Sequence, residues 1–259
     1  MPGLKLDSTS IGPLRVIMPA PLVWVNGFPG SGKLTVLRVL VGLFGVGQVV
    51  LIDNHQLIDP VEATTPREHP MYQRQRKLQR EKVFHEYVAN PEMASCIIIF
   101  TGKLSIVCTR VFPEIAMVLF SGGPSCMIIN TRSLTFRQQT DFQSENELGR
   151  SVAREYQSSS ATSGRPFLPI IITCDVNENR RRVAASERVS SGTGKLLSVD
   201  VLQDLRDRCE LFSFKINEEI HLDITNLSPT QAAERLFVFM ERTLGSPCGA
   251  GCHNMQSHC

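Results

Sequence analysis

A glycine-rich segment near the start of the chain ends in a lysine. Residues 27–35 read GFPGSGKLT, with Gly27, Gly30 and Gly32 in front of Lys33. Glycines let successive backbone N–H groups surround anionic oxygens, and the lysine ammonium supplies a matching positive charge. A strand-like apolar run precedes the segment and a helix-like run follows it, so a helix N-terminus would add partial positive charge. The pattern predicts a loop that binds phosphate groups.

The hydroxyl that usually follows the lysine of such a loop stands one position late. The Walker A pattern G-x-x-x-x-G-K-[ST] requires serine or threonine after Lys33, but this chain has Leu34 there and its hydroxyl at Thr35. We expect Thr35 to take part in holding Mg²⁺. The residues expected to bind the nucleotide are Gly27, Gly30, Ser31, Gly32, Lys33, Leu34 and Thr35.

The segment resembles the loop of the adenylate-kinase-like group of P-loop kinases, whose pattern is G-x-P-G-x-G-K-G-T. Thr35 matches that group's threonine, whereas Leu34 departs from its glycine. Most of the chain resembles small-molecule P-loop kinases and phosphotransferases. It is more closely similar to a fungal group of largely uncharacterised P-loop proteins with LIDNHxLIDPV, YQxxR and DVNENxRRV segments. The resemblance implies ATP and Mg²⁺ as cofactors and a small-molecule acceptor.

An aspartate follows the second apolar run, 48–55. Asp53 would lie at the carboxyl edge of a parallel sheet, where ligands bind. Kinases that resemble this chain commonly place a catalytic aspartate there, which makes Asp53 the candidate general base and His55 a neighbouring substrate contact. The alternative is that Asp53 and the asparagine after it only form a turn, and Asp59 is then the spare candidate.

Several arginines follow the fourth apolar run, 167–174. In similar kinases this segment is a lid that supplies arginines to the transferring phosphate, and planar guanidinium groups match phosphate oxygens. Consecutive arginines on a helix cannot all face one ligand. We therefore select Arg182 and Arg188 as catalytic, with Arg181 in reserve. A solvated basic helix is the alternative for each of them.

Two more segments are candidates for substrate contacts. In similar kinases the region after the second strand binds the acceptor, and the basic helix 71–88 could take a phosphorylated acceptor or RNA. We expect instead that this helix presents a charged, solvated face. Its basic residues include Arg74, Arg76, Lys77, Arg80 and Lys82. The segment 222–229, LDITNLSP, resembles the loop beside adenine, where Thr225 and Asn226 are candidate nucleotide contacts.

Strand-like and helix-like runs alternate along the chain, which is typical of βαβ units around a parallel sheet. The predicted strands are 22–27, 48–55, 95–101, 167–174 and 220–225. The predicted helices are 32–44, 71–88, 144–156, 177–189, 198–210 and 228–244. Capping boxes are expected at the start of two of them, Ser144 with Glu147 and Ser228 with Gln231. With a glycine-rich loop after the first strand, this order predicts an α/β fold: a three-layer P-loop kinase-like core with a five-stranded parallel sheet and a helical lid.

The segment 102–139 fits this pattern poorly, because its apolar runs show neither strand alternation nor helical period. It separates the third strand from Asp141, which resembles the acidic residue that holds Mg²⁺ through water in P-loop proteins. One hypothesis is a retained intron translated in frame, and the alternative is a genuine family-specific excursion. The predicted organisation is an N-terminal extension (1–20), a P-loop domain (21–245) that contains this insert, and a flexible tail (246–259).

Composition and charge narrow the class of protein. A chain of 259 residues with 42% hydrophobic content can bury a full core. A net charge of +2 does not by itself indicate nucleic acid or a membrane as partner. Prolines interrupt the first residues, which do not resemble a signal peptide, and the apolar run 104–120 carries Arg110, Pro113 and Glu114. We expect a cytoplasmic protein that binds no membrane and no nucleic acid.

Cysteine and histidine cluster in the tail CGAGCHNMQSHC. Soft ligands this close could hold zinc, but their spacing matches no common structural zinc pattern. We predict no metal site there. The residues concerned are Cys248, Cys252, His253, His258 and Cys259.

The leading functional hypothesis is an ATP-binding protein that transfers the γ-phosphate to a small-molecule acceptor. A nucleotide kinase, whose acceptor is itself a phosphate and needs no strong base, is the nearest alternative. A regulatory protein that holds or hydrolyses ATP is an alternative of a different class. The sequence indicates neither the acceptor nor the oligomeric state.

Overall fold

A computed structural model describes residues 18–102, 106–108, 149–185 and 198–244. The described strands are β1 (Leu22–Asn26), β2 (Val49–Ile52), β3 (Ile97–Thr101), β4 (Ile106–Cys108), β5 (Phe167–Thr173), β6 (Cys209–Leu211) and β7 (Ile220–Asp223). The described α-helices are α1 (Lys33–Leu43), α2 (Asn54–Glu62), α3 (Tyr72–Val83), α4 (149–162), α5 (Val176–Ala184), α6 (Val199–Arg208) and α7 (Pro229–Leu244). A π-helical turn (Phe84–Val88) extends α3, and a 3-10 turn (Pro91–Met93) precedes β3.

Five strands form one parallel sheet in the order β2-β3-β1-β5-β7. β1 lies at its centre, with Val25 opposite Thr101 on one side and opposite Ile170 on the other. Every residue of β1 and β3 is buried, as expected for a parallel sheet that is covered on both faces. The predicted α/β fold with a five-stranded parallel sheet is therefore confirmed.

Separate apolar clusters cover the two faces of the sheet. On one face, Val23 and Val25 belong to a cluster with buried residues of α1 and α7, including Leu37 and Leu236. On the other face, Trp24 belongs to a cluster with residues of α2, α3 and α4. Alternate residues of a strand point to opposite faces, so β1 supplies both clusters and the architecture has three layers.

The largest boundary difference follows β2. The prediction of a strand over 48–55 is wrong in its second half, because β2 ends at Ile52 and α2 begins at Asn54. Asp53 is the N-cap of α2, in a capping box with Gln56. Capping satisfies backbone N–H groups that a helix leaves without partners. Asp53 therefore does form a turn, as the alternative interpretation had it, and this turn begins a helix that was not predicted from the sequence.

The predicted start of the last helix is confirmed by its capping box. Ser228 Oγ accepts from the Gln231 N–H at 3.2 Å, and the Gln231 side chain accepts from the Ser228 N–H at 3.0 Å. The capping box predicted at Ser144 and Glu147 lies outside the described residues.

Most of the predicted insert, 102–139, also lies outside the described residues, as do Asp141, Arg188 and the cysteine-rich tail. Within the insert the backbone of β4 is described, and it pairs antiparallel with β6. This two-stranded pairing was not predicted. Among the helices of the described ranges, none combines the length and the apolar character needed to cross a lipid bilayer.

Arg165 joins the segments at the amino edge of the sheet. Its buried guanidinium donates to the backbone carbonyls of Val88 (2.9 Å), Ala20 (2.7 Å), Cys96 (2.8 Å) and Met93 (2.6 Å). Burial is the largest influence on the Arg165 pKa, which lies below its ordinary value. The amino-edge position of Val88 means that α3 and its π-helical extension run from the carboxyl edge of the sheet toward the amino edge.

Candidate active site

Residues 27–32, called the glycine loop below, join the end of β1 to the start of α1. The Lys33 ammonium donates to the carbonyl oxygens of Gly27 (2.7 Å) and Phe28 (2.9 Å), so the loop wraps around its own lysine. The buried Asn26 side chain accepts from the Gly27 N–H at 2.9 Å. Asn26, which the sequence analysis did not select, thereby orients the first peptide of the loop.

Gly30 is where another chain segment approaches the glycine loop most closely. Its φ of +77° lies in the left-handed region, which glycine tolerates best. A Cβ atom at this position would lie 2.2 Å from Cγ2 of Val183 on α5. No side chain fits that space, so a glycine at this position lets α5 pack directly on the loop.

Two buried polar side chains connect the glycine loop to α5 and α6. Asn179, which is fully buried, donates to the Pro29 carbonyl at 2.9 Å and accepts from Arg206 at 2.9 Å. The Arg206 guanidinium lies 4.8 Å from the centroid of the Phe28 ring, a cation–π distance. Neither Asn179 nor Arg206 was predicted from the sequence as a site residue. Asn179 carried a weak signal, since asparagine disfavours a helix interior, whereas Arg206 carried none.

Arg182, predicted to be catalytic, joins three parts of the site. It donates to the Ser31 carbonyl of the glycine loop at 2.6 Å and to the Ile224 carbonyl at 3.0 Å. Its Nε donates to Glu178 at 2.6 Å. Hydrogen bonds from Arg181 and then Arg182 lower the pKa of Glu178 to about 2. Arg181 itself is exposed, and both of its contacts are with Glu178.

A cavity of about 730 Å³ opens beside the glycine loop. Its volume is that of a site for a drug-sized ligand. The predicted nucleotide residues Gly30, Gly32 and Thr35 lie on one side of it. The other lining residues include Glu178, Arg181, Arg182, Ile224, Thr225, Asn226 and Leu227. The structure therefore brings together the glycine loop, Arg182 and the segment after β7. Leu34 is half-buried in the first turn of α1.

Hydrogen bonds fix the cavity wall formed by the segment after β7. The Thr225 hydroxyl accepts from the Asp175 N–H at 2.8 Å, and the Thr225 N–H donates to Asp223 at 2.7 Å. Hydrogen bonds from the Thr225 hydroxyl and N–H lower the pKa of Asp223. Thr225 is thus held from two directions, and its neighbour Asn226 lines the cavity.

Asp53 lies at the carboxyl edge of the sheet, beside the end of β3. The Thr101 hydroxyl donates to the Asp53 carboxylate at 2.9 Å and accepts from the Asn54 N–H at 2.8 Å. Because β3 separates β2 from β1, Asp53 lies about 10 Å across the sheet from the glycine loop. Thr101, which was also not predicted from the sequence, orients the candidate base. His55 contacts the exposed Asp59 at 3.3 Å.

The donor groups at this edge suit Mg²⁺, which favours oxygen ligands and retains several waters and phosphate oxygens. The Thr35 hydroxyl lines the cavity, and the Asp53 carboxylate lies at the sheet edge. In the part of the chain that the structure describes, no three His, Cys, Asp or Glu side chains converge as metal ligands.

The sequence matches no protein-family model and no curated protein. Solved structures similar to the chain include a sugar kinase from Janibacter sp. HTCC2649, with 16% identity and a TM-score of 0.47 over 86% of this chain and 95% of that one. A gluconokinase from Sinorhizobium meliloti 1021 has 13% identity and a TM-score of 0.48 over 87% of this chain and 93% of that one. The Mycobacterium tuberculosis APS kinase, in complex with AMPPNP and APS, has 14% identity and a TM-score of 0.46 over 87% and 99%. Similarity at this level says nothing about substrates.

Proposed function

We propose that the protein is an ATP-dependent phosphotransferase that transfers the γ-phosphate of ATP to a small-molecule acceptor. One observation carries the proposal. A glycine loop closed around Lys33 borders a cavity of about 730 Å³, which the segment 224–227 and Arg182 also line. A polyanion bound on the loop would extend into a cavity large enough for a nucleoside.

The loop and the start of α1 would bind the triphosphate. Backbone N–H groups of the loop and the positive end of the α1 dipole favour anionic oxygens. The Lys33 ammonium, which donates to Gly27 and Phe28, would exchange these carbonyls for phosphate oxygens. The nucleoside would occupy the cavity between Thr35 and Asn226.

Asp53 is the residue proposed to accept the acceptor's proton. The hydroxyl of Thr101 and the N-terminus of α2 hold its carboxylate at the sheet edge, where the acceptor would meet the γ-phosphate. Mg²⁺ would supply charge neutralisation to the phosphates, with Thr35 and Asp141 as its proposed protein contacts. Arg182 positions the glycine loop in this arrangement, and Arg188 remains a proposed contact of the transferring group.

The test is a screen of small-molecule acceptors for stimulated ADP release, with Lys33→Met as the inactive control. The expected result is acceptor-dependent turnover that falls roughly 100-fold or more in Asp53→Asn, since a general base contributes about that factor. A small effect of Asp53→Asn together with a preference for nucleoside monophosphates would indicate a nucleotide kinase. ATP binding without stimulation by any acceptor would overturn the proposal in favour of a regulatory protein.

A further inference from the structure

Arg76 on α3 is a buried cation for which the described residues provide no carboxylate partner. Its exposed fraction is 3%. Nη1 donates to the Tyr72 hydroxyl at 3.3 Å, and the guanidinium carbon lies 5.9 Å from the Tyr72 ring centroid. Among the described residues, its Nε has no hydrogen-bond partner. Burying a charge is costly unless it is paired, so Arg76 requires an explanation.

Arg80, one turn along the same helix, shows how a buried arginine charge is normally neutralised by a carboxylate. It is also buried, but its Nε donates to Glu155 of α4 at 2.8 Å. The carboxylate nearest to Arg76 along its hydrogen-bond chain is Glu62, which binds the Tyr72 hydroxyl at 2.8 Å and Arg67 at 2.6 Å. Burial opposes the shift, but hydrogen bonds from Arg67 and Tyr72 and the charges of Arg67 and Arg76 lower the pKa of Glu62. The group of Arg67, Arg76 and Arg80 with Glu62 and Glu155 therefore has one positive charge in excess. Arg67 and Arg80 each contact a glutamate directly, whereas Arg76 reaches Glu62 only through the Tyr72 hydroxyl.

The position of Arg76 along the axis of α3 places it at the carboxyl edge of the sheet. Val88 lies at the amino edge, where its carbonyl accepts from Arg165. The segment from Arg76 to Val88 lies in α3 and its π-helical extension, and its twelve residue-to-residue steps give a length of about 18 Å. A five-residue strand such as β3 spans about 17 Å. Arg76 therefore lies level with the edge that carries Asp53.

Tyr156 on α4 connects this cation to a second buried donor. Burial raises the pKa of Tyr156 to about 12, and the charges of Arg80 and Arg76 act on the phenol in the opposite direction. The Trp24 ring lies 6.5 Å from the Tyr156 ring, and its buried Nε1–H has no acceptor among the described residues. Arg76 Nε and Trp24 Nε1 are thus two buried donors of the described chain without an acceptor, and both lie in the surroundings of Tyr156.

We propose that Arg76 binds an anionic group, a carboxylate or a phosphate, of the acceptor. This inference rests on the proposed function, since it assigns the acceptor's chemical class. The oxyanion would neutralise the excess charge of Arg76 and accept from its Nε, while Asp53 at the same edge faces the acceptor's hydroxyl. A neutral polyol would leave the guanidinium unpaired, so the site would discriminate against it.

Trp24, the single tryptophan of the chain, permits a binding assay without turnover. Tryptophan fluorescence would be titrated with glycerol, glycerate and glycerol 3-phosphate, and with glucose, gluconate and glucose 6-phosphate. We expect at least one anionic member to bind, and its affinity to fall about tenfold or more in Arg76→Met, as for loss of a charge-assisted hydrogen bond. Arg76→Lys should recover part of that loss. Comparing carboxylates with phosphates identifies which anion the site takes.

Thermal unfolding of the ligand-free protein separates this role from a structural one. Arg76→Met removes an unpaired charge, so its melting temperature should equal or exceed that of the wild type. Arg80→Met, the matched control, breaks an ion pair and should melt lower. A drop in Arg76→Met equal to that in Arg80→Met would overturn the proposal, as would anion binding that Arg76→Met leaves unchanged, or no anion binding at millimolar concentration.

The ADP-release screen distinguishes failure of this inference from failure of the proposed function. Turnover of neutral acceptors, unaffected by Arg76→Met, would reject the anionic acceptor and keep the phosphotransferase. Arg76-dependent anion binding without any stimulated ADP release would keep the anion site and reject the phosphotransferase.

Discussion

Two arginine-rich helices, α3 and α5, use their arginines differently. On α5, Arg181 and Arg182 share Glu178, and Arg182 also binds backbone carbonyls of two loops. On α3, Arg80 is paired with Glu155, whereas the buried Arg76 has no carboxylate partner among the described residues. Arg181 and Arg182 of α5 thus contact a glutamate of their own helix, whereas Arg76 of α3 is the cation that we propose binds the acceptor's anionic group.

The local sequence explains part of this difference. Glu178 stands three and four residues before Arg181 and Arg182, the spacing at which side chains meet on a helix. The corresponding neighbours of Arg76 are two glutamines, Tyr72 and Arg80. An arginine without an acidic neighbour at helical spacing depends on another element for its partner. The expectation of a solvated face on α3 is wrong for Arg76 and Arg80, because both face the interior.

The largest effect on stability is expected from removing Arg80, the arginine of α3 that is paired with a glutamate. Arg80→Met should lower the free energy of unfolding by about 3 kcal/mol, because Glu155 then remains partly buried without its cation. The double variant Arg80→Met/Glu155→Leu should recover most of that loss. Urea denaturation measures both. If the free energy of unfolding of Arg80→Met were within about 0.5 kcal/mol of the wild-type value, the Arg80–Glu155 ion pair would not be what stabilises the packing of α3.

A smaller effect is expected on α5, where one arginine binds loop carbonyls and its neighbour does not. Arg182→Ala should cost about 2 kcal/mol, because the Ser31 and Ile224 carbonyls and Glu178 each lose a donor. It should also weaken ATP binding, since the glycine loop is then less constrained. Arg181→Ala is the matched control and should change stability by less than about 0.5 kcal/mol. If Arg182→Ala and Arg181→Ala lowered the free energy of unfolding equally, the hydrogen bonds of Arg182 to the loop carbonyls would not be the source of its effect.

The smallest effect concerns the pH dependence of the α5 ion pairs. The folded-state pKa of Glu178, about 2, lies below its ordinary 4.5, so its contribution is complete above pH 4.5 and is lost as the pH falls toward 2. Near neutral pH, Glu178→Gln should be less stable than the wild type by on the order of 1 kcal/mol. Urea denaturation at descending pH should show this difference closing. A constant difference across that range would refute the ion pairs as its source.

Much of the fold could be predicted because its signals are local. Apolar runs bounded by turn residues located all five strands of the parallel sheet, and the capping box at Ser228 located the start of α7. The errors arose where pairing is not local. β4 and β6 lie a hundred residues apart in the chain, and neither short segment alternates strongly enough to indicate a strand.

For the site, residue types predicted the glycine loop but not its supports. Asn26, Asn179, Arg206 and Thr101 each bind loop or catalytic groups through contacts that join different elements. Thr101 follows four apolar residues of β3 and has no feature that separates it from any other strand end. Its importance depends on the neighbouring strand that ends in Asp53.

The sequence by itself determined the five strands of the parallel sheet, the described helices other than α2, and the position of the glycine loop. Periodicity and glycine conformation act within a few residues, and those residues are adjacent in the chain. Only the tertiary structure decided which arginines are paired, since the partner of a buried charge is set by the packing of distant helices. Arg80 meets Glu155 because α3 packs against α4. Arg76, one turn away, contacts no carboxylate of the described chain. Its positive charge is therefore the one that we propose pairs with the acceptor's anionic group.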